Sequence, residues 1–501
     1  MAQRLAGGRV ELVTVSGWGF VASFLSFLEQ LEFCALLEIE GTGFQRVMIP
    51  IARLIMTYQL KVLLGIPAIN LVPTKLFREI ALLRLIGYTT IQLRAGFCQR
   101  GNLTAGPMHK NTLADAVGRL SAAELEGLLN GTAQRLAQRG LLAPSNGHFA
   151  LDASDLPTTR HYLGAGCKSY TERKRTKSGQ LVEVERHVWG FKVLIVYEVR
   201  LRLVVAAKVV PIQEHESQYT LALVRQAIGN VGAGVLRVLL IDRGFLDGAD
   251  LWVLQHDWGI DFVVPAKDTM LITADARGLC RRAADGEGIF PAARAGQRRV
   301  PRRDGTLRWV GQVALVGIAQ LRSYEQYGDA DHVAGANRRD FVGHPLNAVV
   351  VTEWEGTTYP RGEEPVFLSS LPVDQPLRVL DLYDLRSLIE NTAFRELKQG
   401  WCLENYPQKT AAAVRGHVFL TMVTFTLAHA FRTAQGQKLA GHGVRRQRAE
   451  QSVPQVVVFT DDCYGVFDIE EVLILLGVVP QTCLRADPAQ VRRRYGLGAI
   501  A

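Results

Sequence analysis

Apolar positions in the first 145 residues recur three and four apart, as in Phe24, Leu25, Phe27, Leu28 and Leu31, and again in Leu125, Leu128 and Leu129. That period is helical, and it predicts an all-helical region over residues 1–145. Ser121, with Glu124 three residues on, has the form of an N-cap and its capping-box acid. From Gly147 the texture changes. FALDASD, HVWGFKVLIVYEV and RLRLVVAAKVVP predict three strands, followed by a helix over Tyr219 to Ile228, the strand VLRVLLID, a helix around Ala249 to His256 and the short strand IDFVVPA. The predicted order is β-β-β-α-β-α-β.

Residues 266–380, a run of roughly 115, are too long for an ordinary connection and predict an inserted subdomain. VGQVALVGIA, LNAVVVTEW, TTYP and PVFLSSL look like short strands between Gly, Pro, Asn and Asp clusters, and no long, strongly periodic helix stands out. Next comes a helix containing YDLRSLIENTAFRELKQG, and then the apolar run from His417 to Phe431. At about 15 residues that run is shorter than the roughly 20 that span a bilayer, so it predicts a buried core helix. The expected divisions are 1–145, 146–265, 266–380, 381–435 and 436–501, the last a helical C-terminal region.

Composition narrows the class. A chain of 501 residues suggests two to four domains. The net charge of +9 favours an anionic partner, but 57 basic against 48 acidic residues means mixed surfaces rather than a basic tail. Seven scattered cysteines without a C-x-x-C pair indicate neither a zinc site nor a disulfide framework. The first residues lack the form of a secretory signal, which predicts a cytoplasmic protein.

The chemistry rests on three acids. Asp152 ends the apolar run Phe149-Ala150-Leu151, and Asp242 ends Val238-Leu239-Leu240-Ile241, so each suits a carboxylate delivered at the mouth of a buried strand. Glu390 follows Tyr383 and Arg386 at i, i+3, i+7 spacing, which puts the three on one helix face. Carboxylates on rigid elements are what two hard divalent cations need to activate the attacking oxygen of a phosphodiester exchange and stabilise the leaving one. The strand order is similar to the ribonuclease-H-like scaffold, whose first and fourth strands lie side by side; Asp152 and Asp242 would then meet. By contrast, Glu396 reads as an exposed helix charge, and His215 with Glu216 as a surface loop. Asp155, Asp247 and Asp250 lie close to the proposed ligands in sequence, and any aspartate at a strand end can instead cap a turn or helix.

LDASDL, LLIDRGF, FVVPAK, and Y-x-x-R-x-x-x-E followed by FRELKQGW together resemble the DDE transposases of bacterial insertion sequences, in the subgroup with a β-rich insertion and a Y-R-E-K signature. The resemblance covers about residues 100 to 435. It implies a ribonuclease-H-like core interrupted by the insertion and Mg2+ as working metal, two ions per site, with Mn2+ as substitute. Cut-and-paste transposition through a hairpin intermediate would follow, by a homodimer bound at terminal inverted repeats and acting on target DNA, on the nucleoid when DNA-bound. Asp152, Asp242 and Glu390 would hold the metals, and Tyr383 and Arg386 the backbone at the cleaved phosphate. The signature lysine is expected after six intervening residues, where this chain has Leu397; Lys398 follows after seven. Either the helix is locally over- or underwound there, or Lys398 or Arg395 makes the contact in shifted geometry.

Further DNA contacts are expected from Lys174 and Arg175 between the first two strands, and from Arg299, Arg303 and Trp309 in the insertion, the arginines on phosphates and the tryptophan on an unpaired base. The helical N-terminal region would read the element's end, with Arg94, Arg100 and Lys110 as a candidate surface. Two rival functions keep part of this pattern: a two-metal nuclease or resolvase on the same scaffold, and a non-catalytic DNA-binding derivative.

Overall fold

The computed structural model describes residues 1–45, 47–97, 106–175, 181–284, 290–295, 298–301, 307–310, 313–336, 341–354, 364–435, 454–460, 463–478 and 485–497. In chain order its strands are β1 (Leu12–Ser16), β2 (His148–Thr158), β3 (Gly166–Arg175), β4 (Leu181–Glu198), β5 (Leu203–Pro211), β6 (Val238–Ile241), β7 (Asp261–Pro265), β8 (Ala292–Ala295), β9 (Arg298–Pro301), β10 (Leu307–Val310), β11 (Val313–Leu321), β12 (Leu346–Trp354), β13 (Val366–Ser369), β14 (Gln455–Phe459) and β15 (Tyr464–Phe467). The chain divides into two compact units. One holds residues 1–121, 405–408 and 443–501, and the other holds 122–404 and 409–442.

The first unit is not all-helical, as its sequence had suggested. β1 pairs antiparallel with β14, and β14 with β15. The C-terminal residues, expected to be a helical region of their own, thus supply two strands and the helices Ile469–Leu476 and Pro488–Arg494 to the unit that contains the N-terminus. The rest is helical, including Ile51–Leu63, whose residues are nearly all buried. The helix Ala122–Gln138, expected to close the N-terminal region, belongs to the second unit.

The second unit is built on a ten-stranded mixed sheet in the order β3-β4-β2-β6-β7-β13-β12-β11-β8, with β5 also paired to β4. β2 and β6 run parallel, with Leu151 opposite Ile241, so the strands expected to be first and fourth do lie side by side. The centre of the sheet is apolar on both faces: Phe149 to Leu151, Val193 to Tyr197 and Leu239 to Ile241 are all fully buried, as expected for strands covered on both sides. The helices Ala122–Gln138, Thr220–Val231 and Ala411–Ala434 pack against β5. The last of these is long and apolar enough to cross a membrane, but most of it is buried inside the unit. Its Thr410 caps the first turn by accepting from the Ala413 amide at 3.2 Å, and Thr426 Oγ1 accepts from the Val204 amide of β5 at 3.2 Å.

Two expectations about the sheet change. Lys168 to Arg175 lie in a fourth strand, β3, rather than in a connection between the first two strands. β3 pairs with the outer half of β4, while β5 pairs with the inner half, so β3 and Leu181–Trp189 make a largely exposed two-stranded ribbon beyond the core. The changeover is at Gly190, where an added Cβ would lie 2.3 Å from the Leu156 carbonyl oxygen; only glycine lets the strands close there. The insertion, in turn, is not a separate β subdomain. β13 pairs with β7, and β12, β11 and β8 follow, continuing the central sheet. It also contains the 14-residue helix Leu271–Ala284, which packs on β11, β12 and β13. β9 and β10 form a separate hairpin, and the TTYP segment lies outside the described residues.

Candidate active site

Asp152 continues β2 one residue past the Leu151–Ile241 pair, and Asp242 follows β6 directly, so the parallel register brings two residues 90 positions apart in the chain to one end of adjacent strands. The helix Pro376–Leu388, begun by a proline in its first turn where the missing N–H has no intrahelical partner to lose, packs against β6 and β7. It carries Tyr383 and Arg386 to the same place.

One guanidinium joins all three acids. Arg386 Nη1 donates to Asp152 Oδ2 at 3.0 Å and lies 3.6 Å from Asp242 Oδ1, while Nη2 donates to Glu390 Oε1 at 2.8 Å. The Arg386 side chain is 12% exposed, Asp152 9%, Asp242 35% and Glu390 52%. The site is thus buried at the first aspartate and open at the glutamate. Arg386 also sits over the Tyr383 ring, 5.6 Å from its centroid, and Tyr383 packs on Phe367 of β13 with ring centroids 4.6 Å apart. The insertion strand therefore supports the signature tyrosine.

The charges do not balance, since three carboxylates face one guanidinium. Burial pushes the Asp152 carboxyl up to about 7, while Arg386 and the Ala153 amide, which donates to Oδ1 at 2.7 Å, pull it down; Glu390 and Asp242 add to the rise. A low-dielectric pocket disfavours a carboxylate unless enough positive charge accompanies it. The donor set, carboxylate oxygens only, fits hard divalent cations. Arg386 matches them in the sign of its charge but not in its magnitude or size. Among the described residues, no group of three or more His, Cys, Asp or Glu is spaced to hold a metal ion.

From Ile389 the helix widens. Ile389–Phe394 form a π-type turn between the α-helical Pro376–Leu388 and Arg395–Gln399. Bonds running i to i+5 rather than i to i+4 take up one extra residue between Arg386 and Lys398. Lys398 Nζ donates to the Asp155 carbonyl of β2 at 2.7 Å and pairs with Glu404 at 3.0 Å, so it stands at the rim three residues along the strand from Asp152. Arg395 instead bonds Gln399.

Several neighbours escaped the sequence reading. Lys168 of β3 pairs with the Asp155 carboxylate. His215 and Glu216 lie in the loop before the helix, as expected, but Glu216 also pairs with the buried Lys192 at 2.8 Å, and a Cβ on Gly244 would lie 2.5 Å from its Oε2. The glycine of DRGF therefore marks a close approach, the one signal that pointed to Glu216. Glu396 is not an exposed helix charge. Its side chain is 11% exposed and lies 3.3 Å from His429 of the core helix, with His429, Trp401 and Arg202 holding its carboxyl below the usual range against burial, which acts to raise it. Asp247 is a helix cap, accepting from the Ala249 and Asp250 amides.

Of the other expected DNA contacts, Arg303 and Arg100 lie outside the described residues. The side chains of Lys174, Arg175, Arg299 and Trp309 do too, although their backbones fall in β3, β9 and β10. Arg299 and Trp309 are register partners across the β9–β10 hairpin. Arg94 ends the helix Thr90–Ala95, and Lys110 donates to Asn70.

No curated protein matches the chain. A cryo-EM structure of a piggyBac transposase synaptic complex with hairpin DNA aligns over 95% of this chain and 85% of that one, at 9% identity and a TM-score of 0.35, a likeness too slight to bear on fold or mechanism. The family comparison is decisive by its extent. A model described as a transposase DDE domain matches residues 144–427, which begins just before β2 and ends inside the core helix, spanning all three acids and both halves of the sheet around the insertion. By that match the chain belongs to the DDE-domain transposases.

Proposed function

We propose that this transposase carries out cut-and-paste transposition on a ribonuclease-H-like core, with Asp152, Asp242 and Glu390 as the metal-holding catalytic acids. The single observation that carries the proposal is Arg386, whose guanidinium reaches all three carboxylates at 2.8 to 3.6 Å. Parallel pairing of β2 with β6 supports the core. What two bound Mg2+ ions, or Mn2+ in their place, would supply is Lewis acidity at the attacking and leaving oxygens.

The chain's own groups do the rest. Asp152, the most buried acid, anchors the site from β2; Glu390, the most exposed, closes it from the helix. Tyr383 and Arg386 hold the backbone at the scissile phosphate, Arg386 through a two-pronged contact of the kind guanidinium makes with phosphate oxygens. Lys398 takes a neighbouring phosphate at the rim. Lys174 and Arg175 on the ribbon, and Arg299, Arg303 and Trp309 in the insertion, extend the DNA path. Water attacks at the element's end, the freed 3′ hydroxyl attacks the opposite strand to leave a hairpin, and strand transfer follows hairpin opening. The N-terminal unit reads the terminal inverted repeats, and two copies of the chain pair the ends.

The test uses labelled element ends, a target plasmid and Mg2+. Joined products and covalently closed ends on denaturing gels are expected. Cut but never joined ends would favour the nuclease or resolvase, and binding without any cutting the DNA-binding derivative. Asp152→Asn, Asp242→Asn and Glu390→Gln should each lower cleavage by about 10³-fold or more while leaving DNA binding intact. Any of the three that still cuts normally has no place in the mechanism.

A further inference from the structure

Arg386 stands where a metal-holding site would need to be empty. Its nitrogens lie 2.8, 3.0 and 3.6 Å from one oxygen of each acid, whereas a hard divalent ion needs those oxygens at roughly 2.0–2.6 Å with nothing between. Guanidinium and metal compete for the same space and for the same negative charge. Nor is Arg386 a solvated side chain passing by, because it is 12% exposed and packed over Tyr383.

From this geometry we infer that Arg386 is an internal counter-cation that holds the three acids together in the DNA-free protein and must swing out before metal loads. The inference rests on the triad being the metal site. The scissile phosphate is the anion that draws the guanidinium away, since a planar fork suits phosphate oxygens as well as carboxylates. Metal loading is thereby coupled to DNA engagement. A protein free of DNA keeps its site occupied by its own side chain, and a phosphate that takes Arg386 raises the metal affinity of the acids it leaves behind. Linkage requires bound metal to tighten DNA by the same factor.

The competition can be read without catalysis by titrating Mn2+ into the full-length, DNA-free protein and following free Mn2+ by electron paramagnetic resonance. Arg386→Gln should bind Mn2+ about tenfold tighter than wild type, because the competent site no longer has to be vacated first. Arg386→Lys, which keeps a cation at the same place, should stay near wild type. So should Lys168→Gln, which removes a charge that pairs with Asp155 instead, and which therefore separates displacement from a general change of charge. An Arg386→Gln affinity equal to or weaker than wild type overturns the inference, as does an equal gain in Lys168→Gln. If Arg386→Gln fails to fold in metal-free buffer, recovery of its circular dichroism on adding Mn2+ supports the inference and failure to recover overturns it. Adding Asp152→Asn to the Arg386→Gln protein keeps the two levels apart. Loss of Mn2+ binding there leaves the triad as the metal site whatever Arg386 does, whereas unchanged binding removes the metal site itself.

Discussion

At Asp152, burial and charge pull in opposite directions. Its carboxyl has an ordinary value of 3.8 and is pushed up to about 7 in the fold, mainly by burial. Below about pH 4 both folded and unfolded chains hold the proton. As pH rises from there towards 7, the unfolded chain gives it up while the folded one keeps it, so the metal-free protein should lose stability across that window, by on the order of 4 kcal/mol. Above about 7 this loss is complete. Melting curves in chelator over pH 4 to 8 should show the decline in wild type and a flatter profile in Asp152→Asn; parallel profiles would mean that the burial has no such energetic effect. Asp152 and Asp242 were legible because an apolar run closed by an acid is a local pattern. The role of Arg386 was not, because a sequence reveals that an arginine shares a helix face with a glutamate but not which acids from other strands arrive at its tip.

Among the elements, the helix that carries Tyr383, Arg386 and Glu390 separates what periodicity encodes from what it hides. Tyr383, Arg386 and Glu390 keep α-helical spacing and meet as that spacing requires. Lys398 lies beyond the turn Ile389–Phe394, which is wider by a residue, and no pattern of apolar positions announces a π-type turn. The extra residue is removable in principle. Deleting Asn391 should convert the turn to α-helix, leave both flanks in their packing, and preserve cleavage. Deleting Ser387, which lies between Arg386 and Glu390, should rotate the glutamate by about 100° relative to the arginine and abolish cleavage. If both deletions behave alike in melting and cleavage assays, the wide turn is not the source of the shifted lysine. The ribbon of β3 and the outer part of β4 was hidden for a different reason: both of its faces meet solvent, so Lys168 to Arg175 carry no alternation to mark a strand.

Across the whole molecule, the strand succession from β2 to β7 was largely readable and the pairing of distant segments was not. Five residues near the start, Leu12–Ser16, pair with Gln455–Phe459 near the end, and a link of that length leaves no trace in either segment. The same limit hid the place of the insertion. Length alone marked residues 266–380 as an interruption, but β13 returns to lie on β7, whose Phe262, Val263 and Val264 are fully buried, and its Phe367 backs the Tyr383 ring.

That shared edge bears on any attempt to trim the enzyme. Replacing residues 266–375 with a flexible linker would strip β7 of its neighbour and leave a bare, apolar strand margin, a ready template for pairing between molecules. Light scattering should find such a shortened protein self-associating, even though every acid of the triad is retained; a well-behaved monodisperse product would show the margin to be self-sufficient. Excision alone is therefore not expected to yield a minimal nuclease, because the part that looks optional in the sequence completes the sheet beside β7.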